Sequence, residues 1–150
     1  MGMYFEEFKE GEKITTGSRR VSGDDIMAFA ELTGDDNRIH TDEEFSRTGP
    51  FGKRVAHGLL GLSVTMGLAW KTGFMDGTVV AFREINDWKF VKPVFIGDEV
   101  TAELNILETK ALPRIGQGSV VLGAELKNQS GEVCMKGRLT VLVLSNQTQT

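Results

Sequence analysis

The alternation of apolar and polar positions divides the chain into an early strand, a group of helices and a long run of strands. Lys13 to Val21, rich in threonine and β-branched residues, predicts a short strand. Ser22 then supplies an N-cap, with Asp24 and Asp25 in the first turn, where the helix dipole favours carboxylates. Ile26, Phe29, Ala30 and Leu32 form the apolar stripe of that helix, and Gly34 ends it as a left-handed terminal glycine. Thr41 and Glu44 have capping-box spacing and predict a short helix running to about Thr48. Gly49-Pro50-Phe51-Gly52 predicts a turn, followed by the basic pair Lys53-Arg54.

From Gly58 to Trp70 the residues Leu59, Leu60, Leu62, Val64, Met66, Leu68 and Trp70 leave almost no polar face, so this helix must be covered on most sides. Its length of about 20 Å falls short of a hydrocarbon core of roughly 30 Å, which excludes a membrane span. Gly61, Ser63 and Gly67 lower its helix propensity and imply close approach by a sheet, a partner subunit or an acyl chain. Beyond Gly77 the pattern predicts strands at Thr78 to Arg83, Asp87 to Val91, Glu99 to Glu108, Ser119 to Leu126 and Glu132 to Leu144. Turn residues separate them at Gly97-Asp98, Pro113 to Gly118 and Asn128 to Gly131. Val141 to Leu144 is continuously apolar, the mark of a strand covered on both faces. Tyr4, Phe5 and Phe8 can dock an N-terminal arm on the body, while Ser145 to Thr150 is polar and expected to fray. The predicted class is α+β, a curved antiparallel sheet wrapped around the apolar helix. Such a sheet leaves edges and one side of the helix open, so self-association is expected.

The totals narrow the function classes. A chain of 150 residues that is 40% hydrophobic suits one domain spanning residues 1–150. Its 17 basic and 21 acidic residues are interspersed, and a net charge of -4 offers no attraction to nucleic acid or to an anionic membrane. Cys134 is the one cysteine, which excludes an intrachain disulfide framework and fits a reducing compartment. With no basic-then-apolar leader at the N-terminus, a cytoplasmic location is expected.

Candidate chemistry concentrates in Thr33-Gly34-Asp35-Asp36-Asn37-Arg38-Ile39-His40, which places a carboxylate, an amide and one of two histidines in a short loop between helices. Asp35 and His40 would diverge on one helix, but in a loop that curls back both can face one water molecule. That stretch, together with Phe51-Gly52, Val55-Ala56-His57-Gly58-Leu59-Leu60 and Phe90-Val91-Lys92-Pro93-Val94-Phe95-Ile96-Gly97-Asp98, resembles the MaoC-like dehydratases, the (R)-specific enoyl-CoA hydratases. The resemblance spans roughly Phe5 to Leu144. It implies a hot-dog fold, a dimer or dimer of dimers, and reversible syn addition of water to a trans-2-enoyl thioester of coenzyme A or acyl carrier protein.

By the same resemblance Asp35 and His40 match the catalytic pair and Asn37 the amide that orders the site. Ala56, His57 and Gly58 match the helix start whose backbone N–H groups receive the thioester carbonyl. Such a site needs no metal or organic cofactor. One position departs from the family pattern: Arg38 stands where proline usually follows the asparagine, which removes a restraint on Asn37. His57 reads as a structural residue at the helix start more than as a second base, and Cys134 as an inert core residue. Lys53, Arg54, Lys89 and Lys92 can meet the phosphates of coenzyme A or form a solvated face. A hot-dog thioesterase would use the same cleft to direct water at the carbonyl, and a non-catalytic acyl-CoA-binding subunit would keep the fold without turnover.

Overall fold

The computed structural model describes residues 1–148, the last of them by its backbone only. Strand β1 (Lys13–Arg20) leads to helices α1 (Gly23–Thr33), α2 (Arg38–Thr41), α3 (Glu43–Arg47) and α4 (Gly58–Lys71). Strands β2 (Val79–Phe90), β3 (Glu99–Leu112), β4 (Gln117–Lys127) and β5 (Val133–Leu144) follow. The strands form one antiparallel sheet in the order β1-β3-β4-β5-β2, so β1 and β2 are its edges.

Period-two burial puts one face of the sheet into the core. Alternate residues of β3 (Val100, Ala102, Leu104, Ile106) and of β4 (Val120, Leu122, Ala124, Leu126) are buried. Leu60, Leu68 and Ala69 bring α4 onto this face in two core clusters, with Trp88 packed against both. The terminal arm docks as its aromatic residues predict. Phe8 meets Phe74 edge-on at 6.0 Å between ring centres, and Phe5 lies over Gly118, where a Cβ would come within 2.0 Å of its ring.

Several expectations need correction. The two strands predicted at Thr78 to Arg83 and Asp87 to Val91 are one strand, β2, with irregularities in its pairing to β5 and Asp87 at φ 54. Arg83, Glu84, Asn86 and Asp87 break the alternation where the pairing shifts register. Asp42, and not Thr41, caps α3, its Oδ1 accepting from the Phe45 N–H at 2.9 Å. Thr41 instead ends α2, so His40 sits within a helical turn and not in an open loop. Leu32 is 84% exposed and lies off the stripe of α1. Nor is α4 covered on most sides within one chain: Leu59, Ser63, Gly67 and Trp70 form an exposed stripe. Leu142 and Leu144 are only partly buried, so β5 is not sealed on its outer face. Ser145 and Asn146 are held by the Glu6 carboxylate, ahead of a 3-10 turn at Asn146–Thr148. The fraying expected at 149–150 lies outside the described residues.

Candidate active site

Two well-formed helix boundaries fix the loop that carries Asp35. At its N-terminus α1 closes a capping box, the Asp25 N–H donating to Ser22 Oγ at 3.1 Å and the Ser22 N–H to Asp25 Oδ2 at 2.9 Å. That bonding, led by the Ser22 backbone, holds the Asp25 carboxyl below its usual range. At its C-terminus Gly34 takes φ 81 and donates to Ala30 O at 2.9 Å, which turns the chain sharply toward Asp35.

Asn37 shapes the next turn. Its Oδ1 accepts from the Ile39 N–H at 3.1 Å as the N-cap of α2, and Thr41 Oγ1 donates back to Asp36 O at 3.0 Å. Arg38 is the first residue of α2, a position that accommodates proline or arginine because its N–H has no intrahelical partner. Asn37 holds ψ 132 without a following proline, and Arg38 pairs with Asp42 at 3.2 Å while lying 4.3 Å over the Phe45 ring. Asn37 itself is held by the bond its Oδ1 accepts from the Ile39 N–H.

Helix α2 is then stitched to the segment entering α4. Val55 N–H donates to Ile39 O at 3.2 Å, Arg54 Nε–H to His40 O at 2.7 Å, and Ala56 N–H to Val94 O at 2.8 Å. His40, which is buried, has its Nδ1 2.7 Å from Val55 O. A carbonyl only accepts, so Nδ1 carries the proton and the neutral ring keeps its lone pair on Nε2. His57 Nε2 lies 2.8 Å from Asp35 O and is protonated for the same reason. The two imidazoles stack at 3.9 Å with 27° between their planes, and Phe29 packs against His57 at 4.9 Å. His57 Nδ1 is buried without a partner.

The structure therefore brings Asp35, His40 and His57 together: a carboxylate oxygen and one ring nitrogen from each histidine lie within 4.8 Å of one another. Stacked rings aim their in-plane lone pairs along nearly parallel planes. They do not converge on one ion at the roughly 2.0 Å a zinc–nitrogen bond needs, so the trio suits proton transfer better than chelation. Asn37 stays outside the group, where it orders the turn.

Asp35, His40, Ala56, His57 and Gly58 line a cavity of about 450 Å³, whose other walls include Phe51, Leu59, Phe90, Val94 and Met135. His57 precedes α4 without capping it through its side chain, so the N–H groups of the first turn have no intrahelical acceptor, and Gly58 and Leu59 stand at the cavity wall. They carry the positive end of the helix dipole. Gly58 packs closely: a Cβ there would lie 2.6 Å from the Phe90 ring and push it aside. Of the four basic candidates only Lys92 lines the cavity, paired with Glu132, whose carboxyl it holds below the usual range. Lys53 lies 4.2 Å over the Phe95 ring. Cys134 is fully buried, and burial pushes its thiol up, away from reactivity.

The antiparallel sheet packed on α4, with the Asp35–His40 loop and the helix start at one apolar cavity, defines a hot-dog protein. The chain belongs to the MaoC-like dehydratase family: the model of the MaoC like domain matches residues 7–128. It is 31% identical over 140 residues to an (R)-specific enoyl-CoA hydratase of Rhodospirillum rubrum, covering 93% of this chain and 91% of the relative. An uncharacterized Bacillus subtilis protein, YdeM, is 33% identical over 141 residues, covering 94% of this chain and 99% of the relative. Among solved structures, an Archaeoglobus protein described as a monoamine oxidase regulatory protein superposes with a TM-score of 0.89 at 36% identity, covering 97% of this chain and 96% of the other.

Sequence reasoning missed the backbone carbonyls of Val55 and Asp35, which set the two histidine tautomers. No residue type announces them. It also left the apolar wall unassigned, because Leu59, Phe90 and Met135 come from three separate elements.

Proposed function

We propose that the protein is an (R)-specific enoyl thioester hydratase, adding water reversibly and syn across a trans-2-enoyl group carried by coenzyme A or acyl carrier protein. The observation that carries this reading is the meeting of the Asp35 carboxylate with a histidine whose tautomer leaves Nε2 free, at the wall of an apolar cavity. In the hydration direction His40 Nε2 takes a proton from water as the water oxygen bonds to C3. C2 is then protonated by the His40 imidazolium, with Asp35 orienting the water, or by a protonated Asp35 carboxyl that recovers its proton from His40. With the roles reversed, Asp35 takes the proton from water and a doubly protonated His40 gives one to C2. Negative charge developing on the thioester oxygen is met by the N–H groups at the start of α4. Delivery of oxygen and proton from one side gives syn addition, and no metal or organic cofactor enters the scheme.

The same reading includes a homodimer, or a dimer of such dimers. Val80, Phe82 and Ile85 are each more than 40% exposed along edge strand β2, which offers an unpaired backbone to a second sheet. The activity is tested by incubating the protein with but-2-enoyl-CoA. Loss of the conjugated thioester absorbance with no free thiol supports hydration. Release of free thiol indicates a thioesterase, and binding with neither change indicates a receptor; both contradict the proposal.

A further inference from the structure

Gly58 and Gly61 are three residues apart and share one face of α4. Each is small because a neighbour already fills the space. A Cβ on Gly58 would lie 2.6 Å from the Phe90 ring, and one on Gly61 would lie 2.2 Å from the terminal methyl of Met135. Phe90 and Met135 are cross-strand partners on β2 and β5, and both line the cavity. They differ in depth: Phe90 is 55% exposed, whereas Met135 is 2% exposed and belongs to the core cluster of Leu60 and Leu126. Leu126 is also its cross-strand neighbour on β4. Met135 is thus the buried residue through which this wall of the cavity joins the core.

We propose that Met135, seated on Gly61, is the stop that sets how long an acyl chain the cavity accepts, and that the protein selects short acyl groups. The inference rests on the acyl-thioester reading of the site. With the thioester oxygen at the first turn of α4, the chain runs toward Met135 across the interval from Gly58 to Gly61, about 4.5 Å at the helical rise of 1.5 Å per residue. That interval holds about three carbon–carbon bonds of ~1.5 Å each, enough for a butenoyl chain and too short for an octenoyl one. Methionine has three rotatable bonds and yields by rotation, so discrimination falls off gradually with length.

The two residues of this contact can be changed in opposite senses. Affinities of saturated butanoyl-, hexanoyl- and octanoyl-CoA, measured by titration calorimetry, report the acyl end alone, because these compounds cannot be hydrated. For the unaltered protein, affinity is expected to fall at least about tenfold from butanoyl to octanoyl, roughly the scale of one or two poorly accommodated methylenes. Met135→Ala removes the stop and is expected to erase that fall, with Met135→Val giving the same direction should the alanine variant fail to fold. Gly61→Ala drives the methionine end into the cavity and is expected to weaken hexanoyl binding as well. Equal affinity for all three chains in the unaltered protein, or an unchanged ladder in a folded Met135 variant, overturns the proposal. A ladder as expected without hydration of but-2-enoyl-CoA overturns the hydratase reading and leaves the stop standing. No binding of any of the three overturns both.

Discussion

At the scale of single residues, two carbonyl oxygens decide which nitrogen of each histidine is available. His57 offers a ring that stacks on His40 and an N–H that ties down the Asp35 carbonyl, so in the proposed reaction its part is to position its neighbours. His57→Phe keeps a ring and deletes the donor. It is expected to lower kcat about tenfold, the free-energy scale of one hydrogen bond, with KM little changed, whereas His57→Gln, which restores a donor, is expected to recover part of the loss. Steady-state kinetics of the two variants, with thermal melts to show that both fold, make the comparison; equal kcat in both removes His57 from positioning. Gly118→Ala is a purely structural counterpart. It forces Phe5 off its seat and is expected to cost about 1–3 kcal/mol of stability by overpacking, read from denaturant unfolding. Asp35 and His40 were legible in the sequence because their spacing and flanking glycine are carried by residue types. His57's contact with a backbone atom 22 residues away was not, since only the fold creates it.

Among the elements, capping and charge are where local sequence met or missed the structure. Ser22 and Gly34 bound α1 as read, since both signals are complete within a few residues. The start of α3 was misplaced by one residue because Thr41 and Asp42 are both good caps, and the preceding helical turn uses Thr41. Asp42→Ala is therefore expected to lower stability in thermal or denaturant unfolding. Strand β2 was split in two because polar residues flank Ile85 where its pairing with β5 shifts register, and sequence pattern reads them as a loop. On β3, Glu103 is bonded to Lys127 at 2.5 Å and to Lys13 at 2.8 Å, and these lysines hold its carboxyl at about 2, below the usual 4.5. A carboxyl lowered on folding stabilises the native state fully above pH 4.5 and loses that contribution as pH falls toward about 2. Melting temperatures of Glu103→Gln and the unaltered protein are expected to differ most near neutral pH and to converge near pH 2.

For the whole molecule, the class was readable because one apolar helix followed by alternating strands has few packing solutions. Strand order was not, since pairing β1 with β3 and β2 with β5 joins residues far apart in the chain. The exposed stripe of α4 and the apolar edge of β2 are two of the surfaces the described residues leave open. If two sheets join through β2, light scattering at micromolar concentration is expected to give twice the chain mass or a multiple of it, and Phe82→Lys to shift the population toward monomer. A stable monomer in the unaltered protein contradicts the joined sheet.

The proposed hydration requires Asp35 and His40 to address the same water. Hydration of but-2-enoyl-CoA by the Asp35→Asn and His40→Ala variants tests this most directly, with circular dichroism to show that each is folded. Each substitution is expected to lower kcat/KM by at least about 100-fold. Near-normal turnover in either folded variant would contradict the shared role assigned to the pair.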